Sequence, residues 1–150
     1  MAGTRGVVST GDRALTSAAV LNEAQRAAQQ AMSNAYAPYS NFRVGAALVC
    51  ENGRIVVGCN VENSAYPAGI CAERSALAAA VAAGERRFST IVVATEADAP
   101  TPPCGVCRQA LVEFAPTLDI VSVTSRGAQA QWRLSDLLAI PFTPASLSHA

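Results

Sequence analysis

Small and apolar residues at helical spacing open the patterned part of the chain. Leu15, Ala18, Ala19 and Met32 mark one face of a helix predicted from Arg13 to Tyr36, ending before Pro38. Two short apolar, β-branched runs follow, Val44 to Cys50 and Ile55 to Cys59, joined by Glu51-Asn52-Gly53-Arg54. Asn-Gly between two such runs is a strong hairpin signal. A polar stretch, Asn60 to Ile70, leads into the alanine-rich run Arg74 to Ala83, which Gly84 stops. That run predicts a second helix with Cys71 at its N-terminus. Thr90 to Thr95, Ile120 to Thr124 and Gln129 to Arg133 read as further strands. Between the first two lie a rigid Pro100-Thr-Pro-Pro103 loop and a helix from Cys104 to about Ala115, closed by Pro116. Ser135 opens a last short helix. Strands alternating with helices after an opening hairpin predict a three-layer α/β/α domain on a mixed five-stranded sheet.

The domain is expected over residues 13–150, behind a polar, glycine-bearing flexible tail over 1–12 that has no apolar h-region of a signal peptide. A chain of 150 residues buries about two thirds of its unfolded surface. Net charge is zero, lysine is absent, and no basic cluster goes beyond Arg86-Arg87. A protein that grips a nucleic-acid backbone carries a basic stripe, so a small-molecule partner is expected instead. No stretch approaches the roughly 20 apolar residues that span a membrane. Five cysteines, an odd number, argue for a reducing compartment, and a cytoplasmic location is expected. Charged residues make up 15% of the chain, below the usual quarter or so, which suggests surface not meant for water. Ala76 to Ala83 is apolar all round, so this helix is expected to be buried all round. One side would lie on the sheet. Another copy of the chain is the expected cover for the other, and packing by the chain itself is the alternative.

The candidate chemistry sits in Cys71-Ala72-Glu73 and Pro103-Cys104-Gly105-Val106-Cys107. Residues two apart do not share a helix face, so Cys71 and Glu73 can approach one ion only where it lies over the helix end. Cys104 and Cys107 are one turn apart, and Pro102-Pro103 marks the start of their helix. Two helix N-termini then converge, and their partial positive charge favours thiolates. Three protein ligands with a fourth position open are the mark of catalytic zinc, whereas a structural site closes with protein. With a glutamate beside the ion to carry protons, the pattern is that of the zinc deaminases. One zinc per chain is expected. Arg74 is placed to donate hydrogen bonds to the thiolates and to offset their excess charge.

Two plainer readings of Cys-x-x-Cys are a redox pair and half of a structural clamp. The first leaves Cys71 and Glu73 without a role. The second lacks a fourth ligand, because the only histidine, His149, is next to last. Cys50 and Cys59 lie in apolar runs and read as core.

Tyr39-Ser-Asn-Phe-Arg-Val-Gly-Ala46, Gly58-Cys-Asn-Val-Glu-Asn63, Ile70-Cys-Ala-Glu-Arg74 and Pro103-Cys-Gly-Val-Cys-Arg-Gln109 together resemble the small homotetrameric cytidine deaminases, over about residues 13–142. The resemblance implies hydrolysis of cytidine or 2′-deoxycytidine to the uridine and ammonia, in pyrimidine salvage. It implies Cys71, Cys104 and Cys107 as zinc ligands and Glu73 as the proton shuttle. It also implies Asn60 and Glu62 on the ribose, Phe42 along the sugar and base pocket, and a backbone contact from Ala72 to the base. Phe142 and Tyr66 would work across a subunit interface, in sites shared between chains. Asn60 and Glu62 are two apart, so in an extended segment they point the same way and could grip a diol; alternatively Asn60 and Asn63 end a strand in a turn. Phe42 and Phe142 could equally be core. Two other functions remain: deamination of a related aminopyrimidine nucleoside, such as a modified cytidine or a blasticidin-type antibiotic, or a zinc module without turnover. The second has no use for Glu73.

Overall fold

The computed structural model describes residues 16–148. The tail expected over 1–12, the first turn of the expected helix at 13–15 and His149 lie outside the described residues.

Helix α1, Ala18–Ser33, begins later than the pattern predicted. Ser17 caps it by accepting the Val20 amide at 3.3 Å, while the Thr16 hydroxyl is already tied to Thr90 at 2.7 Å. It also ends before the expected Tyr36, because that backbone is taken up elsewhere. The Tyr36 amide donates to the Asn60 carbonyl at 3.0 Å, and its carbonyl accepts from the Glu62 amide at 2.8 Å.

The strands are β1 (Val44–Cys50), β2 (Ile55–Cys59), β3 (Phe88–Thr95), β4 (Asp119–Thr124) and β5 (Gln129–Arg133), in the sheet order β2-β1-β3-β4-β5. β3 and β4 pair parallel and the other pairs antiparallel, so the sheet is mixed, as predicted. The β1–β2 hairpin turns through Gly53 at φ +86°, a conformation that suits glycine. β3 starts earlier than expected, at Phe88, which pairs with Cys50 across a bulge and stacks edge-on with Phe114.

Side-chain alternation along β1 divides the core. Ala47 and Val49 face α1, where Ala24, Ala28 and Met32 pack. Ala46 and Leu48 face the opposite layer, made of α2 (Ala72–Ala82) and α3 (Gly105–Val112), with Ala76, Leu77, Ala80 and Leu111. This is the three-layer α/β/α arrangement. α3 closes at Val112, short of Ala115, because the Phe114 and Ala115 amides both turn back onto the Leu111 carbonyl. A short α4, Leu134–Leu137, follows β5.

Gly58 sets how α2 sits on the sheet. A Cβ there would lie 2.3 Å from the Ala76 amide nitrogen and 2.6 Å from the Ala72 carbonyl, so only glycine lets the first turns of α2 lie against β2. The expectation that this helix is buried all round does not hold within the chain. Ala76 and Ala80 are buried, but Ala78, Ala79, Ala82 and Ala83 on its outer side are exposed. The chain itself covers one side only.

Candidate active site

Two helix ends meet on one side of the sheet. Cys71 is the N-cap of α2 and Cys104 the N-cap of α3, and neither uses its side chain to cap. Cys107, one turn into α3, is fully buried. The three sulfurs lie within 4.8 Å of one another, with Cys71 Sγ 3.8 Å from Cys104 Sγ. Zn–S bonds of about 2.3 Å in a tetrahedron require sulfurs about 3.8 Å apart, so the spacing fits a zinc ion, as does the soft donor set.

The electrostatics agree. The Cys71 thiol is pulled down to about 5, chiefly by a hydrogen bond from the Cys107 thiol and further by the Arg74 guanidinium. The Cys107 thiol is pushed up in return, first by Cys71 and then by its burial. Cys71 is therefore the sulfur that gives up its proton most readily, and binding a cation would displace the protons that remain. For Arg74, burial works against the charge, but hydrogen bonds to Cys71 and Cys107 outweigh it and hold the guanidinium charged. Its Nε is buried with no partner among the described residues.

Glu73, in the first turn of α2, is 5% exposed. Burial raises its carboxyl above the ordinary range, and the Cys71 charge adds to the effect. It lines a cavity of about 250 Å³ together with Cys71, Ala72 and Cys104. Phe42, Asn60 and Glu62 line the same cavity, so the structure brings together residues that the sequence separates by up to 62 positions (42 to 104).

Asn60 and Glu62 do point into one space, but neither is free. Asn60 Oδ1 accepts from the Val44 amide at 2.8 Å, and its Nδ2 donates to the Phe42 carbonyl at 2.8 Å. The Glu62 carboxylate accepts from the Tyr39 amide at 2.9 Å, the Ser40 amide at 3.2 Å and the Ser40 hydroxyl. Those bonds, the hydroxyl's first, lower its pKa below 4.5. One N–H of Asn60 and spare lone pairs on Glu62 are left to face the cavity. The turn reading holds for Asn63, whose Oδ1 accepts the Ala65 amide at 2.8 Å just past the end of β2, whereas Glu62 is bonded to residues 39–40.

A family model for the cytidine and deoxycytidylate deaminase zinc-binding region matches residues 19–123. The chain belongs to this family. It is 40% identical to a cytidine deaminase of Sporosarcina psychrophila over 123 residues, which is 81% of this chain and 90% of the relative. Identity to a cytidine deaminase of Mycobacterium tuberculosis is 38% over 115 residues, 77% of this chain and 84% of that one. Among solved structures, the crystal structure of cytidine deaminase from Burkholderia pseudomallei superposes with a TM-score of 0.78 at 46% identity, covering 81% of this chain and 98% of that one.

Within this deaminase-family chain, two of the residues singled out from the sequence stand away from the cavity. Tyr66 is 77% exposed in a 3-10 turn, Tyr66–Ala68, and meets Tyr39 edge-on at a centroid distance of 6.1 Å. Phe142 is 58% exposed, and its backbone is gripped by Gln109, which donates to its carbonyl at 2.8 Å and accepts its amide at 3.3 Å. Neither ring lines the wall around Glu73 in its own chain. Sequence reasoning gave no role to Ser40, Thr95 or Arg108. Ser40 holds Glu62; Arg108 ties the loop before Cys104 to the C-terminal segment, donating to the Pro103 carbonyl at 2.8 Å and the Leu137 carbonyl at 2.9 Å. The run Cys107-Arg108-Gln109 was the available signal, with two polar residues directly after a buried ligand candidate.

Proposed function

We propose that this chain hydrolyses cytidine and 2′-deoxycytidine to the corresponding uridine and ammonia, in the salvage of pyrimidine nucleosides. One observation carries the reading: a buried carboxyl, raised in pKa, lines the same cavity as a three-sulfur cluster spaced for zinc. Cys71, Cys104 and Cys107 would hold one zinc ion. Zinc so bound supplies Lewis acidity and lowers the pKa of water toward neutrality.

The remaining roles belong to the chain. Burial holds the Glu73 carboxyl above the ordinary range, and one group serving several steps must both give and take a proton. It protonates ring N3, which makes C4 more electrophilic. Water adds to C4, forming a C–O bond, and Glu73 takes up a proton from it. That proton passes to the exocyclic amine, the C4–N bond breaks and ammonia departs; the new C4 hydroxyl, becoming the uridine carbonyl, gives its proton to the carboxylate and restores the starting acid. The first-turn amides of α2, Ala72 among them, have no acceptor within the helix and suit the ring carbonyl. Phe42 forms an apolar side for the ring, and Asn60 and Glu62 meet the ribose hydroxyls with the bonding capacity they have left. Arg74 steadies the thiolates.

Tyr66 and Phe142 act in this reading across an interface, in a homotetramer whose sites are shared. The exposed alanine side of α2 and the exposed side chains of Phe142 and Ile140 support it. All five cysteines are free, which suits a cytoplasmic setting, and no helix among the described residues is long and apolar enough to cross a membrane. Incubating purified chain with cytidine and following both ammonia release and the ultraviolet change to uridine tests the reaction. Stoichiometric ammonia is expected; zinc-loaded chain that leaves cytidine untouched overturns the proposal.

A further inference from the structure

Thr95 ends β3 on the side facing α2 and α3. It is fully buried, and its hydroxyl has no hydrogen-bond partner among the described residues. Nearby buried hydroxyls are employed: Ser122 accepts the Thr101 amide at 2.9 Å, and Thr124 accepts the Ala128 amide at 3.1 Å. Thr95 lines the cavity that holds Glu73 and Cys104, pairing across the sheet with Val44 on one side and leading on the other into the loop before Cys104. A buried hydroxyl without a partner lowers stability, and a valine of the same shape would avoid that loss. An unpaired polar group kept at the wall of a reactive cavity points to a ligand group that completes it.

The polar edge of an aminopyrimidine offers three groups to such a cavity. Ring N3 is an acceptor and is assigned above to Glu73. The ring carbonyl is an acceptor and is met by the helix-start amides. The exocyclic amine is a donor and needs an acceptor. Asn60 Oδ1 and both Glu62 oxygens already accept from residues 39–44, and the capacity they have left is assigned above to the ribose. We propose that the Thr95 hydroxyl accepts an N–H of the exocyclic amine and holds that nitrogen as it becomes ammonia. This rests on the deaminase reading above. Because the amine gains a proton during the reaction, the bond strengthens toward departure, and its loss should appear in kcat more than in KM.

Three chains are compared: wild type, Thr95→Val and Thr95→Ser. With cytidine, Thr95→Val should lose about tenfold in kcat, the worth of one neutral hydrogen bond, with KM within about threefold, while Thr95→Ser stays near wild type. With a 4-chloropyrimidin-2-one riboside, whose leaving group carries no N–H, wild type and Thr95→Val should agree within about twofold. The Tm of Thr95→Val should equal or exceed that of wild type by about 2–5 °C, since the unpaired hydroxyl is gone. Unchanged kcat for Thr95→Val in an active enzyme overturns this proposal alone. So does an equal loss on both substrates with a lowered Tm, which would mark Thr95 as structural. A wild type that releases no ammonia from cytidine overturns the deaminase reading and this proposal with it.

Discussion

The wall formed by Asn60 and Glu62 and the wall formed by Cys71, Glu73, Thr95 and Cys104 enclose one cavity but treat their polar atoms differently. On the first, the amide and carboxylate are bonded to residues 39–44 and fix that segment before any ligand arrives. On the second, a carboxyl is buried against its preference for water, a hydroxyl has no partner, and three sulfurs crowd within 4.8 Å. The first wall is therefore organised by bonds that also stabilise the fold, and a nucleoside's hydroxyls need only the capacity left over. The second wall is held together by its surroundings, at a cost in stability, and is completed by metal and substrate. Changes to the first should harm folding and binding together; changes to the second should harm turnover while the fold stays intact or gains.

Cys107→Ala probes the second wall most severely. Removing the buried one of the three clustered sulfurs leaves two ligands, and the chain should purify without bound zinc by elemental analysis, with turnover down by about 10⁴ or more. Full zinc content in that variant would break the ligand assignment.

Gly58→Ala acts on both walls' common support. The new Cβ must push the start of α2 off β2, and a shift of about 1 Å near reacting groups can cost about 10² in rate. A lowered Tm should accompany the loss. Normal kcat with normal Tm would mean that α2 does not depend on this close approach.

Asn60→Ala should raise KM for cytidine by roughly ten- to thirtyfold and also lower Tm, because the Phe42 carbonyl and Val44 amide lose their partner, each hydrogen bond being worth about 0.5–1.5 kcal/mol. A KM effect with an unaltered Tm would erase the contrast between the walls.

The smallest effect concerns acid. The Ser40 hydroxyl, then the Tyr39 and Ser40 amides, hold the Glu62 carboxyl below its ordinary 4.5, so the folded chain prefers it charged. Its contribution is complete above the unfolded value and is lost as pH falls through the lower folded value. Wild type should thus exceed Glu62→Gln in Tm near neutral pH, and the gap should narrow below about pH 4.5. A gap that stays constant down to pH 3.5 would mean the charge on Glu62 does not anchor residues 39–44.

The second wall was more legible in the sequence than the first. Cys71, Glu73, Cys104 and Cys107 are set by spacing at helix starts, a local property, and α2 and α3 do begin where those cysteines stand. β1, β2 and β5 match their apolar or alternating runs residue for residue, because hairpin turns and strand patterns are also local. What the sequence hid is long-range. Tyr36 leaves its helix to bond Asn60 and Glu62, and those two side chains reach back to residues 39–44; no spacing announces either. Thr95 reads as an ordinary β-branched strand residue, and only burial without a partner sets it apart.

In the proposed reaction Glu73 moves the protons in a cavity whose metal site it does not build. Glu73→Gln keeps the shape and removes the titratable group, so zinc content and cytidine turnover measured on the same preparation test it most directly. Zinc should stay at the wild-type level, Tm should equal or exceed wild type because burial no longer opposes a charge, and turnover should fall by about 10⁴ or more. Turnover within tenfold of wild type at full zinc occupancy would contradict it.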